Sequence, residues 1–348
     1  MTATASPATG PATVLVDRFG RVATDLRISL TDRCSLRCTY CMPAEGLVWL
    51  TKSERLSDDE IVRLAGVFVG LGVTSIRLTG GEPLVHPTLV PMVARLAALG
   101  PRPELSLTTN GISLTQSAGQ LVEAGLDRIN VSLDTLDAER FRQLTRRDRL
   151  PDVLAGIAAA HAAGITPLKI NTVLVRDSNL AEAPALLEWA LRQGYQLRFI
   201  EHMPLDADHL WSRDGMVTAD EILELLGEHY ELAPQRRHGH APAEEFDVVD
   251  GPGREHWAVT PGRLGVIASV TRPFCRDCDR LRLTSDGQLR TCLFARDETD
   301  LRAPLRDGAS EAELGALIAT AVAGKQAGHG IGTAAFVQPD RTMSAIGG

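Results

Sequence analysis

From about residue 25 to residue 204, runs with apolar residues at alternate positions take turns with runs where they recur every third or fourth position. Strand-like runs occur at Leu26 to Thr31, Ser75 to Thr79, Leu105 to Thr109, Ile129 to Leu133, Leu168 to Val175 and Gln196 to Met203. Between them lie helix-like stretches. The first begins at Ser57, whose spacing to Glu60 makes a capping box; others cover about Thr88 to Leu99, Thr115 to Ala124, Leu150 to Ala163 and Leu180 to Gln193. Six strands alternating with helices predict a parallel α/β sheet, either doubly wound or curled into a partial barrel.

The polar positions choose between these. Parallel strands covered on both faces read as almost continuously apolar, yet here one face is polar: Arg27, Ser29 and Thr31; Ser75, Arg77 and Thr79; Asn130, Ser132 and Asp134; Lys169 and Asn171. Half-exposed antiparallel strands would show the same alternation, but the intervening helices speak against them. A sheet curved around a polar, ligand-filled lumen accounts for both patterns, and its chemistry belongs at the C-terminal strand ends. There stand "TDRC", "TGGEP", "TTNG", "SLD" and "EHMP". Residues 1–20, rich in Thr, Ala, Pro and Gly, are expected to be a flexible tail. The barrel is expected over 21–204, a C-terminal region with its own chemistry over 205–340, and a tail over 341–348. Thr218 and Glu221 cap one more helix in the third of these, before a polar loop.

Composition narrows the function. The chain has 348 residues, 44% of them apolar, and a formal net charge of -8. No global field draws in nucleic acid or an acidic membrane, so an anionic substrate must be held by local cations. The first residues lack a secretory signal and no apolar run is long enough to span a bilayer, which predicts a cytoplasmic protein with no membrane association. Six cysteines in such a chain point to metal or redox chemistry rather than to disulfides.

Those cysteines form two triads. Cys34, Cys38 and Cys41 are spaced C-x3-C-x2-C after a strand; Cys275, Cys278 and Cys292 are spaced C-x2-C-x13-C. Structural zinc takes four Cys or His ligands, and neither triad has a local histidine to complete it. On a four-iron cubane, three cysteines leave one iron open to a small molecule. Around the second triad stand Arg272, Arg276, Arg280, Arg282 and Arg290, a basic concentration in an acidic chain. A zinc knuckle remains the simpler alternative for that segment taken alone.

"CSLRCTYC" and "GGEP" resemble the signatures of the radical S-adenosylmethionine enzymes. The resemblance implies a partial (βα)6 TIM-type barrel of the radical SAM kind, an α/β fold, with a [4Fe-4S] cluster whose open iron chelates S-adenosylmethionine. With two triads, "CDRLRLTSDGQL" and the terminal Gly347-Gly348, the chain from Asp25 onward is similar to the GTP 3',8-cyclase family of molybdenum cofactor biosynthesis. That resemblance implies a C-terminal iron-sulfur extension with a second [4Fe-4S] cluster, and Cys34, Cys38, Cys41, Cys275, Cys278 and Cys292 as ligands. It implies S-adenosylmethionine contacts at Tyr40, Gly81, Ser132 and Met203, and GTP contacts at Arg27, Arg77, Thr108, Lys169, Arg280, Leu281 and Arg282. Gly347 and Gly348 would reach into the active site. The implied reaction is reductive cleavage of S-adenosylmethionine, hydrogen abstraction from C3' of GTP and closure of C3' onto C8. The product is (8S)-3',8-cyclo-7,8-dihydroguanosine 5'-triphosphate.

The implied partners are GTP, S-adenosylmethionine, an external one-electron donor and a downstream cyclic pyranopterin monophosphate synthase, for a monomer or homodimer. Two rival readings stay open: a radical peptide maturase with an auxiliary cluster, and a non-catalytic zinc-binding module. Two positions depart from the family pattern. His86 stands near a basic pair's usual place and offers a partial charge near neutrality; Asp279 puts a carboxylate beside the second triad.

Overall fold

The computed structural model describes residues 14–347 apart from 208, 210, 237, 238 and 335. All six expected strands form: β1 (Asp25–Ser29), β2 (Ser75–Thr79), β3 (Glu104–Thr109), β4 (Arg128–Ser132), β5 (Lys169–Leu174) and β6 (Gln196–Glu201). They pair in parallel in that order. Helices α1 (Asp58–Gly70), α2 (Leu89–Ala97), α3 (Leu114–Glu123), α4 (Ala138–Thr145), α5 (Leu150–Ala162) and α6 (Ala183–Gln193) lie between them. Both halves of the Ser57–Glu60 capping box are made, a device worth about 1 kcal/mol. The eight-residue α4 went unread because Phe141 and Leu144 are its only large apolar positions.

Strand alternation explains the curl. Leu26, Ile28, Ile76, Leu78, Leu105, Leu107, Ile129, Val131 and Ile170 are fully buried in one core with Leu64 and Phe68 of α1 and Val93 of α2. On the other face, Arg27, Arg77, Thr108, Ser132, Lys169 and Asn171 line a single cavity. Residues from five successive strands meet around one cavity only if the sheet bends around it, as a partial barrel does.

Beyond α7 (Ala219–Gly227), which starts at the expected Thr218–Glu221 capping box, six further strands extend the same sheet. They are β7 (Glu231–Pro234), β8 (Glu244–Asp250), β9 (Gly262–Ile267), β10 (Arg280–Leu283), β11 (Gln288–Arg290) and β12 (Thr299–Asp300). The order is β12-β11-β10-β1-β2-β3-β4-β5-β6-β9-β8-β7, so the sheet stays open. β9 joins β6 and β10 joins β1 in parallel; each then carries antiparallel strands outward. Helices α8 (Arg302–Arg306), α9 (Glu311–Ala323) and α10 (Met343–Ile346) complete the chain. No described helix is long and apolar enough to cross a membrane.

The N-terminal expectation needs correcting. Residues 1–13 lie outside the described residues, but Leu15 is 1% exposed in the main core. Val16 bridges Val22, and Asp17 pairs with Arg21 at 2.5 Å. Residues 14–20 are therefore fastened to the body of the protein, by one buried leucine and one buried ion pair.

Candidate active site

The first triad follows the C-terminal end of β1 in a loop without regular structure. Backbone contacts hold it: Arg37 N and Thr39 N donate to Thr145 O and Leu144 O at the end of α4, and Cys41 N and Met42 N both donate to Cys38 O. Arg146 adds side-chain bonds to the carbonyls of Arg37 and Met42. The segment after β2 closes on the same loop, with Gly81 N donating to Thr31 O and Glu82 N to Arg33 O. A Cβ on Gly81 would stand 2.6 Å from both the carbonyl carbon of Arg33 and the oxygen of Asp32. The glycine is thus required by backbone meeting backbone, whatever small molecule also approaches it. Gly81→Ala is expected to lose most iron from the first triad while the sheet, followed by circular dichroism, persists; full iron loading would contradict this.

The second triad is assembled by a hairpin. Cys275 and Cys278 precede the N-terminal end of β10, and β11 returns antiparallel with Arg282 opposite Arg290. Two residues further on, that register brings Cys292 level with Arg280, beside Cys278. The thirteen-residue gap in the motif is the path out and back.

Among the described residues, no three Cys, His, Asp or Glu side chains converge as ligands of one ion. Instead the triads border cavities. Cys34, Cys38 and Cys41 line the main cavity of about 510 Å³ inside the barrel, and Cys275, Cys278 and Cys292 line an adjoining one of about 60 Å³. A cubane suits donors spread around a space, because each cysteine binds a different iron. Burial pushes the thiols of Cys34 and Cys41 up to about 11 and about 12. Cys38, Cys275 and Cys292 are also raised by burial. At Cys278 burial is outweighed by Lys325 and Arg280, so this thiol is lowered. Bound iron would supply the charge that keeps such buried sulfurs ionised.

Between the triads the cavity wall is cationic. Arg27, Arg77, Arg128, Lys169, Arg198, Arg280 and Arg282 all line it. The Nε atoms of Arg27, Arg77 and Arg128 are buried without a hydrogen-bond partner among the described residues. Arg128 also pairs with Glu104 and Arg27 with Asp25 at 3.8 Å, but the unused buried guanidinium donors suit an anion in the cavity. Burial first, then mutual repulsion, lowers Lys169 to about 8, Arg198 to about 9 and Arg282 to about 10, with Arg27 and Arg77 shifted the same way.

Most residues singled out in the sequence meet here. Tyr40, Gly81, Ser132 and Met203 line the cavity near the first triad's loop or the strand ends, as do Thr108 and the cations named above. Tyr40 donates to Asp134 at 2.6 Å, and burial raises that carboxyl to about 6. Glu82 of "GGEP" is buried, accepts from Thr109, Asn110 and Leu84, and is raised by burial to about 7. Met343 and Ser344 line the cavity, and the carbonyl of Gly347 accepts from the lining Arg282; Gly348 lies outside the described residues.

Two residues fall elsewhere. Leu281 alternates away from Arg280 and Arg282, is fully buried in the core and offers the cavity no side chain. His86 lies 3.5 Å from Asp58 at the start of α1 and does not line the cavity, so it is no substitute for a basic pair there. Asp279 does line it, but Thr24 holds its carboxylate at 2.7 Å.

Sequence reasoning passed over Arg198. Its Nε donates to Asn171 at 2.9 Å and an Nη to Asn130 at 2.8 Å. Gly265 on β9 makes room for it, since a Cβ there would come 2.9 Å from the Arg198 side chain. The available signal was the same alternation, with Gln196 and Arg198 interleaved with Leu197 and Phe199.

Comparison with known proteins agrees with this arrangement. Residues 28–190 match the radical SAM superfamily model and residues 195–331 match Molybdenum Cofactor Synthesis C. The chain is 59% identical over 338 residues to the GTP 3',8-cyclase of Streptomyces coelicolor, covering 96% of each. It is 58% identical over 348 residues to that of Mycolicibacterium smegmatis, covering 99% of this chain and 94% of the relative. The chain belongs to the GTP 3',8-cyclase family. Its fold is the radical SAM partial barrel: SuiB of Streptococcus suis, in a structure with S-adenosylmethionine bound, superposes with a TM-score of 0.54 at 13% identity. That match covers 83% of this chain and 67% of the other. Family membership sets aside the zinc-module and peptide-maturase readings.

Proposed function

We propose that this protein is a GTP 3',8-cyclase, which converts GTP to its 3',8-cyclo-7,8-dihydro form in the first step of molybdenum cofactor biosynthesis. The observation that carries this reading is a cavity with a cysteine triad at each side and, between them, a cluster of cations with unused buried guanidinium donors. Cys34, Cys38 and Cys41 hold the first [4Fe-4S] cluster, and Cys275, Cys278 and Cys292 the second. When bound, the clusters and S-adenosylmethionine supply one-electron cleavage chemistry and the open irons.

The protein's own contribution is placement. Arg27, Arg77, Lys169 and Arg198 hold the triphosphate, whose charge of about -4 meets guanidinium forks and one ammonium. Tyr40, Gly81, Ser132 and Met203 surround S-adenosylmethionine, and the purine lies toward Arg280 and the second triad. Ser344 and Gly347 close the cavity near both triads and keep water from the reacting carbons. The electron comes from an external one-electron donor and the product passes to a cyclic pyranopterin monophosphate synthase, in the cytoplasm, from a monomer or homodimer. Anaerobic turnover of iron-loaded protein with GTP and S-adenosylmethionine, followed by mass analysis, tests the assignment. It expects about eight irons per chain and a cyclised guanine nucleotide; 5'-deoxyadenosine formed without that product would refute the substrate.

Lys169 gives GTP binding a pH dependence. Its free-protein value of about 8 lies below that of an ordinary lysine, and a bound polyanion favours the charged form. Below pH about 8 the ammonium is already present and affinity is level in this respect. Above it, binding must take up a proton, and affinity falls by up to about tenfold per pH unit. Calorimetry at about pH 7 and pH 9 in buffers of different ionisation enthalpy measures that uptake, and Lys169→Arg is expected to abolish it.

A further inference from the structure

Only three of the chain's 36 basic residues are lysines: Lys52, Lys169 and Lys325. Lys325 follows the C-terminal end of α9, is 3% exposed, and belongs to none of the motifs considered above. Its Nζ donates to Cys278 O and to Arg280 O, both at 2.9 Å, and lies 3.6 Å from Cys278 Sγ. No carboxylate is among these partners. Two neutral carbonyls satisfy the ammonium's hydrogens but do not balance its charge, and a buried unpaired cation is costly. Of these partners, the one able to carry the countercharge is the sulfur of Cys278.

On the opposite side, Arg21 donates to Cys275 O at 2.6 Å and also to the carbonyls of Gln326 and Ala327, the residues just after Lys325. Arg21 has its own carboxylate, Asp17. The two cations therefore divide the work: Arg21 is neutralised locally and fastens the turn, whereas the charge of Lys325 is left for the sulfur site.

We propose that Lys325 tunes the second [4Fe-4S] cluster, its ammonium stabilising the reduced form through the Cys278 sulfur. Hydrogen bonds and charge at the ligating sulfur are among the levers that set a cluster's potential. This presupposes the second cluster proposed above. Lys325 does not touch GTP or the reacting carbons; it acts through Cys278, as a positioning residue whose effect is electrostatic.

The test is redox-monitored electron paramagnetic resonance of the iron-loaded holoenzyme, comparing wild type with Lys325→Gln and Lys325→Arg. Gln keeps donors for the carbonyls and removes the charge; Arg keeps the charge. In the Gln variant, the ratio of reduced to oxidised second cluster at a fixed ambient potential is expected to fall about tenfold or more. The first cluster stays unchanged and Arg restores the second. A second-cluster potential in the Gln variant equal to wild type overturns the proposal.

A measurement on the unmutated chain guards against a variant that does not fold. With ε-15N-lysine incorporated, the reduced second cluster is expected to show a 15N hyperfine coupling in pulsed spectra, and its absence also overturns the proposal. About four irons per chain in wild type, with the first cluster's signal alone, would instead remove the second cluster itself and this inference with it.

Discussion

Gly347→Ala is expected to lower cyclisation by about a hundredfold or more with iron content unchanged, because a small displacement of a group that closes a radical site costs that much in positioning. Gly347 has a φ of +90°, and a Cβ on it would stand 2.7 Å from Thr79 Oγ1 and 2.9 Å from Ser29 Cβ. Both neighbours are buried at the ends of β2 and β1, so neither can retreat. The strain of a left-handed alanine, roughly 1–3 kcal/mol, adds to that overlap. Against it stands the anchor of Ile346, fully buried and worth about 1.5–3 kcal/mol. The balance keeps α10 docked and displaces only the last turn. Mass analysis of product against iron and sulfide content separates the two effects. Unimpaired cyclisation in the alanine variant would mean that this close approach has no part in the reaction.

The second large effect has opposite signs in the free and bound protein. Arg198→Met is expected to raise the KM for GTP about tenfold to a hundredfold, since it deletes a preorganised fork facing the phosphates. The same change is expected to raise the melting temperature of the protein without nucleotide. Folding buries a charged guanidinium that burial and Arg77 together push down to about 9, and methionine fills similar space without that cost. Asn171 loses a donor at the cavity wall, where water replaces it, while the lost bond to the buried Asn130 offsets only part of the gain. A variant with weakened GTP binding and a lowered melting temperature would show that Arg198 is a structural strut rather than a substrate cation.

The barrel strands were readable because period-two alternation survives wherever one face meets the core and the other a polar lumen. Arg27, Arg77 and Lys169 stood out for that reason, and all three line the cavity. Arg198 did not, although Gln196 and Arg198 alternate with Leu197 and Phe199 in the same way. The flanking strands β7 to β12 are two to seven residues long and owe their existence to pairing with distant partners, which local periodicity does not record. α9 carried a usable signal: Ser310 and Glu313 form a capping box of the same kind as Ser57 and Glu60. Leu281 was drawn in by the motif around it, although alternation alone points its side chain away from Arg280 and Arg282.

The parallel pairing of β1 with β10 fixes more than topology. Asp25 lies opposite Arg280, so Cys278 enters at the start of β1, whereas Cys34 follows its end. The two cysteine triads are therefore held apart by the length of one five-residue strand, roughly 17 Å at 3.3–3.4 Å per residue. β1 acts as a ruler. On the function proposed above, a strand two residues shorter would crowd the triads, and one two residues longer would part S-adenosylmethionine at the first triad from GTP at the second. On that reading, the backbone of β1 sets the distance between the two bound molecules before any side chain acts on either.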